Sequence, residues 1–212
     1  MSTYFKSPAN DRRHPLFSFQ GLEIYTARHE DFWLALLWNE MDPHHAGKID
    51  PSFWIEQSPG IEAYLMADKK GRLFFFKLVR TILAIGQESK TISAVRVFIQ
   101  FPPQPGAVPP ANVPINTEGR REAVQPVDHD RIMRALIQGR EWIERCVALQ
   151  GLSALCFESE SPALIRFSKR HLGFRQDGGT LIKWIAYPKG MPPPAEKPME
   201  GALESPETIG TK

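Results

Sequence analysis

The fold of this chain is most constrained by a long amphipathic segment that lies between two short β-prone segments. In residues 128–149 the apolar side chains recur at helical spacing and form one stripe: Ile132, Leu136, Ile143 and Val147. Residues 92–101 alternate, with Arg96 and Gln100 on the polar side, which predicts a half-buried strand. Residues 152–157 predict another strand. Two strands joined by one helix indicate a parallel pair with a crossover, so the stripe is a core face.

The remaining pattern adds antiparallel neighbours. The polar residues and glycine of Asp68-Lys69-Lys70-Gly71 suit a hairpin turn between two β-prone runs. Asp128 is suited to cap the long helix, and Gln150-Gly151 to end it. The other predicted elements are strands 22–27, 61–67, 72–80 and 180–185 and helices 29–41, 51–57 and 162 to 171 or 172. This order predicts an α/β fold, a three-layer sandwich with a mixed, mostly antiparallel central sheet and a C-terminal β-α-β-α-β unit.

Composition argues against several classes of protein. Lys and Arg number 26 against 24 Asp and Glu, and this net charge of +2 gives little reason to expect nucleic acid or an anionic membrane as a partner. Two cysteines cannot form a disulfide framework, and no Cys or His group has the spacing of a metal site. No apolar run reaches the roughly 20 residues that cross a bilayer, and residues 1–11 are polar where a signal peptide is apolar. We therefore expect a cytoplasmic protein without a metal ion.

Proline indicates where the domain ends. Of the 19 prolines, seven fall in residues 102–126 and six in residues 188–212. The first of these segments has no usable periodicity and exceeds the length of about 15 residues beyond which a loop is usually functional or disordered. The second predicts a disordered tail, because its composition cannot bury enough apolar surface. We expect one domain over residues 20–187, preceded by a flexible lead, residues 1–19.

A shorter pattern carries a family resemblance. In residues 151–174 a strand leads into a helix that carries a small residue and an aromatic residue and closes with Gly-Phe: Ala163, Phe167, Gly173 and Phe174. This segment resembles the second half of the GNAT (Gcn5-related N-acetyltransferase) superfamily, and the element order over most of the chain is similar to that fold. The resemblance implies an acyl-CoA-dependent N-acyltransferase that passes an acyl group such as acetyl to a small-molecule or protein amine. Acetyl-CoA or another acyl-CoA is then expected in a cleft where two parallel strands separate, with its pyrophosphate at the start of the long helix.

The resemblance also implies roles for particular residues. The implied proton acceptor is Glu158 or Glu160, since both residues follow a strand and precede a helix. Phe167 stands where the family often has the tyrosine that protonates the leaving thiolate, and Ser168 beside it carries a hydroxyl. Phe167 is also an implied contact to the coenzyme. Three arginines are the implied contacts to the pyrophosphate: Arg120, Arg121 and Arg131.

Two departures from the family pattern support a second hypothesis. The family's Arg/Gln-x-x-Gly-x-Gly/Ala turn is absent, and the helix starts with Asp128-His129-Asp130, whose acids cap the backbone N–H groups and repel phosphate. Phe167 has no proton to donate. The alternative is a catalytically inactive GNAT-fold protein that acts by binding a partner. That partner would bind the Pro-rich loop, residues 102–126, or the aromatic residues of the first two helices: Trp33, Trp38, Phe53 and Trp54.

Overall fold

The alternating segments form the strands of one sheet, and the segments with helical spacing pack on its faces. The computed structural model describes residues 14–42, 50, 52–56, 58–85, 90–103 and 127–185. The strands are β1 (Phe17–Phe19), β2 (Leu22–Thr26), β3 (Ile61–Asp68), β4 (Gly71–Ile85), β5 (Lys90–Gln100), β6 (Ala154–Glu158), β7 (Arg175–Asp177) and β8 (Thr180–Trp184). The helices are α1 (His29–Met41), α2 (Ser52–Ile55), α3 (His129–Leu149) and α4 (Pro162–Phe167), which a π-helical turn, Ser168–Leu172, continues.

The strands are ordered β1-β2-β3-β4-β5-β6-β8-β7 across the sheet. Neighbouring strands pair antiparallel except β5 and β6, which are parallel and are connected through α3. The predicted mixed, mostly antiparallel sheet with a C-terminal β-α-β-α-β unit is therefore confirmed. This topology is the one that the GNAT resemblance implies.

The core lies on both faces of the sheet because alternate side chains of β4 point in opposite directions. Phe74 and Phe76 pack with buried residues of α3. The ring of Phe75 lies on the other face, 5.7 Å from the ring of Phe32 in α1 and 5.5 Å from that of Trp54 in α2. Helices α1 and α2 thus cover one face, called here the α1 face, and α3 covers the other, the α3 face.

Helix α3 forms as its sequence predicts. The Asp128 carboxylate caps it by accepting a hydrogen bond of 3.0 Å from the backbone N–H of Asp130. Its apolar stripe faces the sheet, since Leu136 and Val147 are buried and the two isoleucines of the stripe pack against the same cluster. Gly139 is buried in this interface, where a Cβ atom would collide with the Met66 side chain. The helix therefore lies close against the sheet.

A bulge in the β3–β4 hairpin places an ion pair inside the protein. The register shifts between Met66 and Ala67, which turns Arg72 to the α1 face. There the Arg72 Nε lies 3.6 Å from Oδ1 of Asp31, and both side chains are buried. Asp31 also accepts a hydrogen bond of 2.8 Å from the backbone N–H of Arg28. The start of α1 is thus tied to the hairpin.

Lys77 of β4 is fully buried on the α1 face. Its Nζ donates to the backbone carbonyl oxygens of Phe53 and, at 2.7 Å, Glu56. The same ammonium lies 4.8 Å from the centre of the Phe53 ring. These contacts satisfy carbonyl groups at the C-terminal end of α2, and burial lowers the pKa of Lys77.

Several expectations about single elements are wrong. The short strands β1 and β7 were not predicted, and β4 continues to Ile85, five residues beyond its expected end. The polar side of β5 is not exposed at its C-terminal end, where Gln100 is fully buried. The reason is that α2 covers this end: the Phe53 ring packs 4.7 Å from the ring of Phe98. Helix α4 ends at Phe167, and the π-helical turn fills the rest of its expected length.

Most of the Pro-rich loop, the tail after Ile185 and the first 13 residues of the lead lie outside the described residues. The expected domain limits therefore stay predictions. Among the helices that are described, none is long and apolar enough to cross a membrane.

Candidate functional site

The candidate site is the place where the parallel strands β5 and β6 separate. Only three residue pairs join them, Ala94↔Ala154, Val95↔Leu155 and Arg96↔Cys156. Beyond the last pair β5 runs on to Gln100, paired with β4, and β6 runs on to Glu158, paired with β8. Past the last pair each strand stays paired with its outer neighbour, and the two facing edges are not paired with each other. We call the gap between residues 97–100 and 157–158 the wedge; its presence confirms that these segments lie parallel and side by side.

On the α3 face the wedge is lined by apolar side chains that are only partly buried. They come from β5, β6 and the two helices on this face: Val97, Ile99, Phe157, Ile132 and Phe167. Fully packed core residues surround them, but these five keep part of their surface exposed. An apolar groove thus lies beside two strand edges. Within the described chain, no other strand forms hydrogen bonds with the backbone groups of these edges. Such an edge offers N–H and C=O groups to an extended ligand.

On the α1 face the wedge carries a polar group of three side chains. The Arg96 Nη2 lies 3.2 Å from Oε1 of Glu158, and Arg96 keeps 32% and Glu158 53% of its side-chain surface exposed. The Thr180 hydroxyl donates to the same Glu158 oxygen at 3.3 Å. The Arg96 Nε is shielded from solvent and has no oxygen acceptor among the described residues. An ion pair with unused donors therefore lies at the point where the strands part.

Cys156 lies beside this ion pair but is not suited to act as a nucleophile. Its side chain is fully buried, and burial raises the pKa of its thiol, an effect that the Arg96 guanidinium opposes. The attacking form of cysteine is the thiolate, which burial disfavours. Cys156 is therefore a core residue.

The N-terminus of α3 does not fit a pyrophosphate. Asp128 already accepts the hydrogen bond from the Asp130 backbone, and both carboxylates lie in the first turn. Arg131, a predicted phosphate ligand, binds Asp68 of the β3–β4 hairpin instead, with Nε 2.9 Å and Nη2 2.5 Å from the two carboxylate oxygens. A phosphate here would meet three carboxylates and an arginine that is already paired.

The other predicted site residues lie near the wedge but differ in exposure. Glu160 is exposed in the connection between β6 and α4. Ser168 is fully buried at the start of the π-helical turn, and its Oγ has no partner among the described side chains and backbone. The Phe167 ring lies 5.1 Å from that of His171. Arg120 and Arg121 lie outside the described residues.

Sequence reasoning missed two members of the polar group, Arg96 and Thr180. Arg96 was recognised only as a polar position of β5. The one signal that could have found it is its place on the central strand close to the expected separation. Thr180 joins the site because β8 pairs beside β6, a contact 22 residues apart along the chain.

A second concavity, with a volume of about 500 Å³, lies at the other side of the sheet. Its lining includes the end of β2, Phe32 of α1 and the start of β3. Among the residues that these two strand ends contribute are Thr26, with Ala27 directly after it, Glu62 and Tyr64. The Tyr64 hydroxyl donates to Glu62 at 2.5 Å, and burial together with this carboxylate raises the pKa of Tyr64. Strands β4 and β5 separate this concavity from the wedge.

Comparisons with known proteins find similarity only to solved structures. No family model and no curated protein matches the chain. The chain is similar to an aminoglycoside N(6')-acetyltransferase from Legionella pneumophila, with 12% identity, a TM-score of 0.48 and coverage of 80% of this chain and 95% of that one. It is also similar to a mutant of the toxin AtaT bound to the C-terminus of the antitoxin AtaR and acetyl-CoA, with 12% identity, a TM-score of 0.42 and coverage of 78% and 94%. A GNAT-family acetyltransferase from Streptococcus pneumoniae shares 14% identity, with a TM-score of 0.43 and coverage of 78% and 99%.

Proposed function

We propose that this protein is an N-acyltransferase that takes an acyl group, acetyl in the first instance, from acyl-CoA and passes it to an amine. The observation that carries this proposal is the wedge, in which β5 and β6 stay anchored to their outer neighbours while their facing edges are unpaired. Acyl-CoA supplies a reactive thioester at the end of an extended arm that contains two amide groups. Unpaired strand edges can hydrogen-bond such an arm, and the partly exposed apolar residues of the α3 face can cover its methylene groups.

The polar group on the α1 face supplies the chemistry at the amine. In acyl transfer the amine nitrogen forms a bond to the carbonyl carbon, the carbon–sulfur bond breaks, and the nitrogen loses a proton. Glu158 is the proposed proton acceptor, because its carboxylate is exposed beside the wedge. Backbone N–H groups of the β5 edge are the proposed donors to the carbonyl oxygen as it becomes negative.

The other residues keep narrower proposed roles. Glu160 is the alternative proton acceptor, and Phe167 covers the arm as part of the apolar lining. Ser168 is proposed only as a relay, since its buried hydroxyl cannot reach solvent directly. Arg120 and Arg121 stay proposed contacts to the phosphates, and Arg131 could join them only by leaving Asp68.

Thermal unfolding with acetyl-CoA tests the donor half of the proposal. At 100 times its dissociation constant the ligand adds about 2.7 kcal/mol, which raises the Tm of a chain of this length by about 5–11 °C. Val97→Trp should fill the wedge and remove this shift. The matched control is Ile82→Trp, because Ile82 is exposed on β4 at the end away from the wedge and on the same face of the sheet as Val97. No shift of the wild-type protein at millimolar acetyl-CoA would end the proposal.

The second candidate function is binding without catalysis, with a protein as the partner. The carboxylates at the start of α3 favour it, since they repel the phosphates of the coenzyme. Release of free CoA thiol in the presence of a panel of amines separates the two functions. Binding of acetyl-CoA with no thiol release above the hydrolysis background would favour the second.

A further inference from the structure

The ion pair at the wedge leaves donors unused where an acceptor substrate would approach. Arg96 has five N–H donors, and its Nη2 lies 3.2 Å from Oε1 of Glu158. Its Nε is buried and has no oxygen acceptor in the described part of the chain, and the guanidinium lies beside the Cys156 thiol, a weak acceptor. Buried donors without an oxygen partner are rare in folded proteins, so this nitrogen favours an oxygen acceptor on a ligand.

The chemistry of the two side chains specifies the missing group. A guanidinium binds a carboxylate through two parallel N–H···O bonds, which makes a carboxylate the best match for the unused donors. Glu158 is half exposed, and its contacts with Arg96 and Thr180 both go to Oε1. Its second oxygen is thus available to an ammonium group. A positive and a negative side chain 3.2 Å apart match a ligand whose own charges are adjacent.

We propose that the acceptor substrate is a zwitterionic α-amino acid, with its carboxylate on Arg96 and its amino group on Glu158. This inference rests on the proposed function. It places the reacting nitrogen at the mouth of the wedge, on the face opposite the apolar lining. The ammonium first passes one proton to the Glu158 carboxylate, and the resulting amine nitrogen bonds to the acyl carbon. The thiolate then leaves with the electrons of the carbon–sulfur bond, and it takes the second proton that the nitrogen loses, which gives free CoA thiol. A neutral zwitterion also adds no net charge to the site.

Competing amine acceptors test this assignment. An equimolar mixture of the twenty amino acids and a matched mixture of their amides are acetylated from acetyl-CoA, and products are quantified by mass spectrometry. The amides keep the amine and lose the carboxylate. The preferred acid should exceed its amide in kcat/KM by about 10- to 100-fold, the range expected for hydrogen bonds to a charged group. Arg96→Met should reduce this ratio to about 1, whereas Arg166→Met, an exposed change on α4, should preserve it.

A purely structural ion pair predicts a different result. If Arg96 only joined β5 to β6, Arg96→Met would slow acids and amides equally and lower the Tm by about 4 °C at most, because exposed ion pairs contribute little. Arg96→Lys, which keeps the charge without the planar fork, should retain the fold and lose most of the preference. Glu158→Gln should slow both substrate sets and leave the ratio high.

The outcomes separate this inference from the proposed function. Acyl transfer with equal rates for acids and amides, or a ratio unchanged in Arg96→Met, overturns the assignment and leaves the acyltransferase standing. If no amine is acylated, binding of the amino acids alone is measured by thermal unfolding. Amino acids at 10 mM should still raise the Tm of the wild-type protein and should not raise that of Arg96→Met. A wild-type protein unaffected by every amino acid overturns the inference.

Discussion

The acidic N-terminus of α3 should weaken any contact with the phosphates of acyl-CoA, and removing its charge tests this directly. The change is Asp128→Ser together with Asp130→Asn. Serine keeps an oxygen that can accept the capping hydrogen bond, and asparagine keeps the shape of the side chain. The fold should therefore survive with a loss of stability of about 1–2 kcal/mol from the two charge–dipole interactions.

The expected gain in affinity follows from Coulomb's law. If a phosphate on the first turn of α3 is taken to lie about 8 Å from each of the Asp128 and Asp130 carboxylates, one pair of charges in water repels by about 0.5 kcal/mol. Two carboxylates and two phosphate charges make four such pairs, so the total repulsion is about 2 kcal/mol before salt screening. At 0.15 M salt, where the Debye length is about 8 Å, roughly a third of this remains. At 10 mM salt, where the Debye length is about 30 Å, roughly three quarters remains, so the Kd for acetyl-CoA should fall about 15-fold at 10 mM salt and about 3-fold at 0.15 M.

Titration calorimetry at the two salt concentrations measures these changes. S-acetyl-pantetheine, which has the arm and no phosphate, is the control ligand, and its Kd should be the same in both proteins. Asp177→Asn, an exposed charge removal on β7, controls for net charge. The reasoning is refuted if the wild-type protein already binds acetyl-CoA 100-fold more tightly than acetyl-pantetheine at 0.15 M salt. It is also refuted if the double variant binds acetyl-CoA no better at low salt.

Three further changes test the fold around the site by urea unfolding. Arg72→Met should cost about 3–5 kcal/mol because it leaves Asp31 charged and buried, and a loss below 1 kcal/mol would contradict this ion pair. Since burial lowers the native pKa of Lys77 below its unfolded value of 10.5, the unfolded chain binds more protons between the two values and the free energy of unfolding should rise with pH there. Lys77→Met should remove this rise, and an unchanged pH profile would exclude Lys77 as its source. Gly173 ends the π-helical turn at φ +77°, so Gly173→Ala should cost about 1–2 kcal/mol, and a neutral effect would show that the turn relaxes.

The sequence predicted the elements whose side chains repeat over many residues. Helix α3 and the β3–β4 hairpin were found because each has a long periodic pattern and a clear boundary, such as the Asp128 cap. Strands β1 and β7 have three residues each, too few to show a period. The burial of Gln100 was missed because it depends on α2, which packs against β5 from more than 40 residues away along the chain.

The candidate site was predictable in its backbone and not in its side chains. A parallel pair joined by one helix follows from element order, and the wedge follows from that pair. Element order does not predict the partners of charged side chains. Arg131 was assigned to the pyrophosphate because it lies in the first turn of the long helix, yet its contact is Asp68, 63 residues earlier in the chain. Arg96 is a candidate site residue because it forms an ion pair with Glu158, and Glu158 lies on β6, which the crossover places beside β5.

Adjacent residues of β5 point to opposite faces of the sheet, so the proposed donor and acceptor sites should be separable by mutation. Val97 lines the apolar side of the wedge, and Arg96 carries the polar side. Arg96→Met should therefore keep the full rise in Tm with acetyl-CoA, and Val97→Trp should keep the rise with the preferred amino acid. The double variant should lose both, with effects that add because the two side chains do not touch the same ligand group. If either single variant lost both responses, the two ligands would share one surface, and the division of the wedge into two faces would be wrong.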